Sequence, residues 1–350
     1  MRYNCLGGNG PRVSVVGLGT MTWGQQNNER EAFEQMDFAK SRGINLFDAA
    51  ELYPVPPRPE TYGLTERYIG NWLADRGHRD EVVLATKVIG RSTGLNTPYA
   101  GYIRGGSNLN RDNIRRAVEG SLVRLRTDYL DLYQVHWPER DCNIFGKRAY
   151  LHNPKNDGVT ILETLEALGE LVNEGLVKYV GISNETSWGL MEYLRCSDKH
   201  RLPRIVSLQN PYNLLTRQYE IGLAEMGLRE SVGLLAYSPM AFGVLSGKYL
   251  HKNMPENSRL ALFKRFSRYS SASVYIATEA YAEIARKHGL SLAQMSLAFV
   301  LQQPFLGSCL IGATSIRQLQ ENIDAHSVRL SAEVLRDIED VHSCYPDPAV

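Results

Sequence analysis

The sequence predicts an α/β protein built as a (β/α)8 TIM barrel, with an N-terminal β-hairpin and long loops after the strands. Short apolar runs rich in β-branched residues alternate with longer segments of helical period, and there are eight such runs. Most of the runs also stop on a polar residue, as strands do at the rim where barrel enzymes keep their sites. Strand–helix alternation calls for parallel strands with helices outside. An open doubly wound sheet is the rival arrangement for the same alternation.

Taken in order, residues 1–14 come first, with a Gly-Gly-Asn-Gly turn that closes a hairpin and can plug the barrel floor. The eight runs are Val15–Thr20, Ile44–Phe47, Val82–Lys87, Leu130–His136, Tyr179–Ser183, Ile205–Gln209, Leu234–Ser238 and Cys309–Ile311. Helical patterns fall between them at Glu29–Ser41, Leu64–Arg76, Arg111–Leu125, Ile161–Asn173, Trp188–Arg195, Gln218–Gly227 and Val274–Leu301, and Ser315–Ile323 follows the last run. Two long loops, residues 90–110 and 138–158, follow the third and fourth runs, and loops of that length in a compact barrel usually carry function. No Pro/Ser-rich linker or composition step divides the chain, so residues 1–350 read as one domain.

Composition narrows the function. A hydrophobic fraction of 43% and a charged fraction of 22% suit a soluble globular enzyme. A net charge of +1 leaves no footprint for nucleic acid or an anionic membrane surface. No apolar run approaches the roughly 18 residues that span a bilayer, and the N-terminus lacks the apolar core of a signal peptide. The five cysteines, Cys5, Cys142, Cys196, Cys309 and Cys344, are scattered and form no CxxC pair. Neither a disulfide framework nor a metal site is indicated, and the expected compartment is the reducing cytoplasm. Oligomeric state is not legible.

The strand ends carry the chemistry. The second run meets Asp48, and Tyr53 follows five residues later against Pro54, Pro56, Pro57 and Pro59, which stiffen an extended loop. Lys87 ends the third run, His136 the fourth, Ser183-Asn184 the fifth, Gln209-Asn210 the sixth and Tyr237-Ser238-Pro239 the seventh. Any one of these alone reads as a structural group, since a strand-end lysine commonly snorkels to solvent. Together on successive strands they converge on one rim. A phenol has a pKa near 10, about three units too high for easy transfer at neutral pH, and a nearby ammonium lowers it. Lys87 is expected to do this, held in place by Asp48. His136 can polarise a carbonyl oxygen bound beside Tyr53. The set suits reduction of an aldehyde or ketone, and since no side chain supplies a hydride, a nicotinamide cofactor is required.

The chain resembles the aldo-keto reductases. The resemblance rests on GLGTM at 17–21, NLFDAAELY at 45–53, LATKV at 84–88, DLYQVHWP at 131–138 and GISN at 181–184. It continues through LQNPYN at 208–213, AYSPMAFGVLSGKY at 236–249 and IGATSIRQLQEN at 311–322, and so spans nearly the whole chain. The stretch YPVPPRPETYGLTE is similar to that of the bacterial Tas-type proteins, in the potassium-channel β-subunit-like branch. The resemblance implies a catalytic tetrad of Asp48, Tyr53, Lys87 and His136, with NADPH/NADP+ as cofactor. It implies that Thr20, Met21 and Asp48 border the cofactor, that Ser183, Asn184 and Gln209 bind its carboxamide, and that the nicotinamide stacks on Tyr237. Ser238, Pro239, Met240, Gly243, Lys248 and Arg259, with Arg265, are then expected along the pyrophosphate, and Gly312, Thr314, Gln318, Glu321 and Asn322 at the adenosine. One departure bears on the cofactor. Where the aldose reductase branch places Lys-Ser and an Arg for the 2′-phosphate, this chain has Gly312-Ala313 and Gln318, leaving Thr314, Ser315, Gln318 and Arg317 to hold it.

Two other function classes fit parts of the pattern. One is an NADPH-binding redox-sensing or regulatory subunit with slow turnover. The other is a Schiff-base aldolase using Lys87, which needs a lysine without a close carboxylate partner. The expected partner is a small carbonyl substrate, with Trp23, Trp137, Tyr99, Tyr102 and Phe145 as candidate aromatics for its pocket. The sequence does not identify that substrate.

Overall fold

The computed structural model describes residues 1–92, 100–153 and 158–349. Tyr99 and parts of the two long loops lie outside the described residues. A two-stranded antiparallel hairpin, β1 (Tyr3–Cys5) and β2 (Arg12–Ser14), precedes eight parallel strands. These are β3 (Val16–Gly19), β4 (Leu46–Asp48), β5 (Val83–Val88), β6 (Leu130–Val135), β7 (Val177–Ser183), β8 (Ile205–Pro211), β9 (Gly233–Tyr237) and β10 (Leu306–Ile311). They close in chain order, with β10 pairing β3 in the register Cys309↔Val16, so the barrel is a (β/α)8 TIM barrel and not an open sheet.

The hairpin closes the floor, as its turn suggested. Leu6 and Val13 join Leu46, Ala85, Leu132 and Leu235 in an apolar cluster inside the barrel. Asn4 Nδ2 donates to the carbonyls of Leu306 and Gly307 at the start of β10, at 2.9 and 3.1 Å. The larger core lies between the strands' outer face and the helices. A third cluster, around Leu52, Ile89, Trp137 and Ile144, packs beneath the loops at the opposite end.

The helices are α1 (Glu29–Ser41), α2 (Leu64–Arg76), α3 (Arg111–Leu125), α4 (Ile161–Asn173), α5 (Ser187–His200), α6 (Leu223–Arg229), α7 (Arg259–Leu262), α8 (Ala272–Lys287), α9 (Leu292–Leu301), α10 (Ile316–Asp324) and α11 (Ala332–Cys344). The first four match the expected bounds, and side-chain caps explain the starts of three of them. Asn28 and Glu31 form a reciprocal capping box, and Asn110 and Thr160 cap α3 and α4.

Three helical readings need correction. The single pattern Val274–Leu301 is two helices, because Gly289 adopts φ +63° and Ser291 then caps a new start by accepting from Gln294 N. The pattern Gln218–Gly227 is a 3-10 turn over Gln218–Glu220 followed by α6, separated at Gly222 with φ +93°. The Trp188–Arg195 pattern extends to α5's fourteen residues, begun by the Thr186 cap. Helix α11, capped by Ser331, was not anticipated.

Candidate active site

At the C-terminal ends of the strands lies a cleft of about 1200 Å³. Strand β4 delivers Asp48 to its floor. The next residues turn sharply, with Tyr53 N bonded to Ala50 O at 3.0 Å and Gly63 N returning to Tyr53 O at 3.2 Å. Val55 N adds a bond to Met21 O at 3.1 Å. The proline-rich stretch is thus tied back on itself, and Tyr53 is carried on a short closed loop.

Lys87 comes up from β5 and is fully buried. Its Nζ donates to Asp48 Oδ2 at 2.7 Å and to Ala49 O at 2.6 Å, and stands 5.0 Å from the centre of the Tyr53 ring. The carboxylate partner removes the condition a Schiff-base lysine needs. His136, just beyond β6, meets Tyr53 edge to face with ring centres 5.8 Å apart. Its Nδ1 is buried without a hydrogen-bond partner among the described residues. The four side chains expected at one point are therefore together. Asp48, Tyr53 and His136 line the cleft, while Lys87 lies beneath it.

The electrostatics depart from expectation in one respect. Burial first, then the Asp48 carboxylate, hold the Tyr53 phenol well above its ordinary 10.0. The opposing pull on the phenol comes from Arg259 and not from Lys87, whose ammonium is paired with Asp48 at 2.7 Å. Burial also pulls Lys87 below its ordinary 10.5, against the opposing effect of Asp48. His136 is held well below 6.5 by burial and then by Lys87, so it is a neutral imidazole near pH 7. A protonated phenol beside a neutral imidazole offers two neutral hydrogen-bond donors to an oxygen in the cleft.

Asp48 is held from the far side as well. Its Oδ1 accepts from Gln209 Nε2 at 2.8 Å and from Gln134 Nε2 at 3.2 Å. Gln134 was not singled out from the sequence. The signal was present as an amide within the apolar run of β6, but its partner on β8 was not legible.

Beyond this floor the cleft continues along one flank. Asn184 Nδ2 donates to His136 O at 2.8 Å and Tyr237 Oη donates to Asn184 Oδ1 at 2.7 Å, so β6, β7 and β9 are linked at the rim. Ser183 Oγ donates to Gln209 O at 2.7 Å. The expected cofactor residues Thr20, Met21, Asp48, Ser183, Asn184, Gln209, Tyr237, Ser238, Pro239, Met240, Gly243, Lys248, Arg259, Gly312, Thr314, Gln318, Glu321 and Asn322 line the same cleft. Arg265 and Arg317 line it too, joined by Arg268, Phe242 and Phe266, which sequence reasoning missed. Ser315 does not line it, because its side chain caps α10 by accepting from Gln318 N. Gln318 Oε1 is engaged by Thr314 N and Oγ1, each at 3.1 Å.

The candidate aromatics divide. Trp137 and Phe145 line the cleft, whereas Trp23 is a core residue donating to Gln35 Oε1 at 3.1 Å. Tyr102 packs against Tyr62 with ring centres 6.1 Å apart and is not part of the cleft wall.

A sequence model described as the Aldo/keto reductase family matches residues 15–343. The chain is 52% identical to Protein tas of Escherichia coli (strain K12), over 100% of each chain. It is 35% identical to Uncharacterized oxidoreductase YrpG of Bacillus subtilis (strain 168), over 99% of this chain and 97% of that protein. Identity to the Probable voltage-gated potassium channel subunit beta of Oryza sativa subsp. japonica is 30%, over 99% of this chain and 98% of that protein.

Proposed function

Because the chain belongs to the aldo/keto reductase family, we propose that it reduces an aldehyde or ketone to an alcohol with NADPH, using Tyr53 as the general acid. The observation that carries this reading is the packing of Tyr53, Lys87, His136 and Asp48 around one point of the cleft floor. The substrate oxygen lies between the Tyr53 hydroxyl and the His136 ring, which both donate to it as negative charge builds. Tyr53 passes its proton to that oxygen. Lys87 and Asp48 hold the floor rigid and keep the charge beneath the phenol nearly balanced.

The cleft suits a dinucleotide. Its flank is cationic, with Lys248, Arg259, Arg265, Arg268 and Arg317 against Glu321, and phosphates suit such a surface. Helix α10 turns its N-terminus, capped by Ser315, next to Thr314, where backbone N–H groups favour an anion. Ser183, Asn184 and Gln209 would hold the carboxamide, Tyr237 the ring face, and Thr314 with Arg317 the 2′-phosphate. NADPH supplies the hydride, which no side chain can. The substrate is a small carbonyl compound whose apolar part rests against Trp137 and Phe145. The place of action is the reducing cytoplasm, where the five unpaired cysteines remain thiols.

A panel of aldehydes, ketones and quinones, followed by loss of NADPH absorbance, tests the reading. Turnover of at least one class is expected. A protein that binds NADPH yet oxidises it with no carbonyl, even in a single turnover, would overturn it in favour of a cofactor-sensing role.

A further inference from the structure

We propose that Gln134 is a positioning residue that couples the Asp48 carboxylate to the Gln209 amide and so fixes which end of that amide faces a nicotinamide. The inference rests on the dinucleotide reading above. Gln134 is fully buried in β6, laterally paired with Lys87 on β5 and Gly181 on β7. Its Nε2 donates to Asp48 Oδ1 at 3.2 Å and its Oε1 accepts from Gln209 Nε2 at 3.3 Å. Gln209 Nε2 also donates to Asp48 Oδ1 at 2.8 Å.

An ionised carboxylate only accepts. Both amides must therefore turn an NH2 toward Asp48. Once Gln134 has done so, only its carbonyl is left to meet the second N–H of Gln209. The three groups satisfy one another in one arrangement and no other. That arrangement spends both donors of Gln209 on the barrel floor and leaves its Oε1 without a partner among the described residues, on a residue that lines the cleft. A carbonyl held in this way is the complement of a primary carboxamide N–H2. The barrel wall makes room for the device. A Cβ at Gly181 would stand 3.1 Å from Gln134 Cγ and 2.5 Å from Ser207 Oγ, so the position facing Gln134 is left without a side chain.

The test compares two ligands by quenching of protein fluorescence: NADPH, and the same dinucleotide lacking nicotinamide (2′-phospho-ADP-ribose). Gln134→Met keeps the length of the side chain and removes both hydrogen bonds. Its NADPH affinity is expected to fall about ten-fold, the worth of one well-made hydrogen bond, with the fragment bound as by the wild type. Gln134→Glu gives a sharper signature. A protonated carboxyl has one donor and one acceptor and reproduces the native pattern, whereas an ionised one opposes Asp48. The charged groups facing it are Asp48 and Lys87, and burial beside a carboxylate raises its pKa. Relative to the wild type at each pH, this variant is expected to bind NADPH normally in acid and progressively worse as pH rises, again with the fragment unaffected. NADPH binding in both variants that matches the wild type at every pH overturns the proposal. So does a loss that the fragment shares equally, which marks general damage to the fold. A wild-type protein that fails to bind NADPH overturns the dinucleotide reading instead, and shows it before any variant is made.

Discussion

The Tyr53 phenol keeps its proton because burial and Asp48 both disfavour the phenolate, and that sets the pH behaviour of reduction. A general acid works while protonated, so the contribution of Tyr53 is present at neutral pH and is lost only as pH rises past its pKa, above 10.0. His136 sits below 6.5, so it is already neutral at higher pH and adds no break there. The kcat for carbonyl reduction is therefore expected to be flat from about pH 7 to 9; a clear inflection in that window would show that another group controls the proton. Tyr53→Phe should lower kcat by about 10²–10⁴-fold while leaving NADPH affinity near that of the wild type, and steady-state rates with a fluorescence titration measure both. Lys87→Met should tell mainly on stability. It strands Asp48 Oδ2 in a buried site, and breaking such a pair costs about 3–5 kcal/mol, readable by urea denaturation.

At the scale of elements, the strand ends were easy to read and the connections less so. Asp48, Lys87, His136 and Gln209 are legible as a set, because polar groups ending successive apolar runs converge on one rim, although each alone reads as a structural group. Gln134 lies inside its run, and its meaning depends on Gln209, 75 residues away, a pairing that no local pattern reports. The break between α8 and α9 hid for a different reason: the apolar period continues across it, and the two helices are separated by the φ of +63° at Gly289 and the Ser291 cap that follows. Helix α10 carries its own prediction. Arg317 is exposed in its first turn and lines the cleft, whereas Gln318 is occupied by Thr314. Arg317→Met is expected to weaken NADPH a few-fold, the usual scale for an exposed charge pair, and to leave NADH unchanged. An equal loss for both cofactors would mean that α10 does not read the 2′-phosphate.

For the whole molecule, the barrel separates stability from chemistry along its axis. The hairpin plug sits at the strand starts and the cleft at the strand ends. Leu6→Ala removes a fully buried side chain from the interior cluster and should cost about 2–5 kcal/mol, with kcat and cofactor affinity held. A calorimetric scan beside a rate assay checks this, and a large drop in kcat without loss of stability would mean that the two ends communicate. The alternation of eight strands with helices was legible because each unit repeats the same two periods. The aromatic wall of the cleft was not, since Trp23 and Trp137 look alike in sequence and only packing sends one to the core and the other to the site.

Closure of β10 on β3 also bears on how the chain is made. Ser308 Oγ donates to Ser14 O at 2.8 Å across a separation of 294 residues, and Cys309 lies in register with Val16. Ribosomes deliver residues in order, at about 5–20 per second, so one edge of β3 waits roughly 15–60 s for its last neighbour. Throughout that interval the nascent sheet is an open ribbon with an unpaired edge at each end, the kind of surface that recruits other chains. Nascent chains stalled before residue 306 should therefore bind chaperones and aggregate, and release of the final strand should end both.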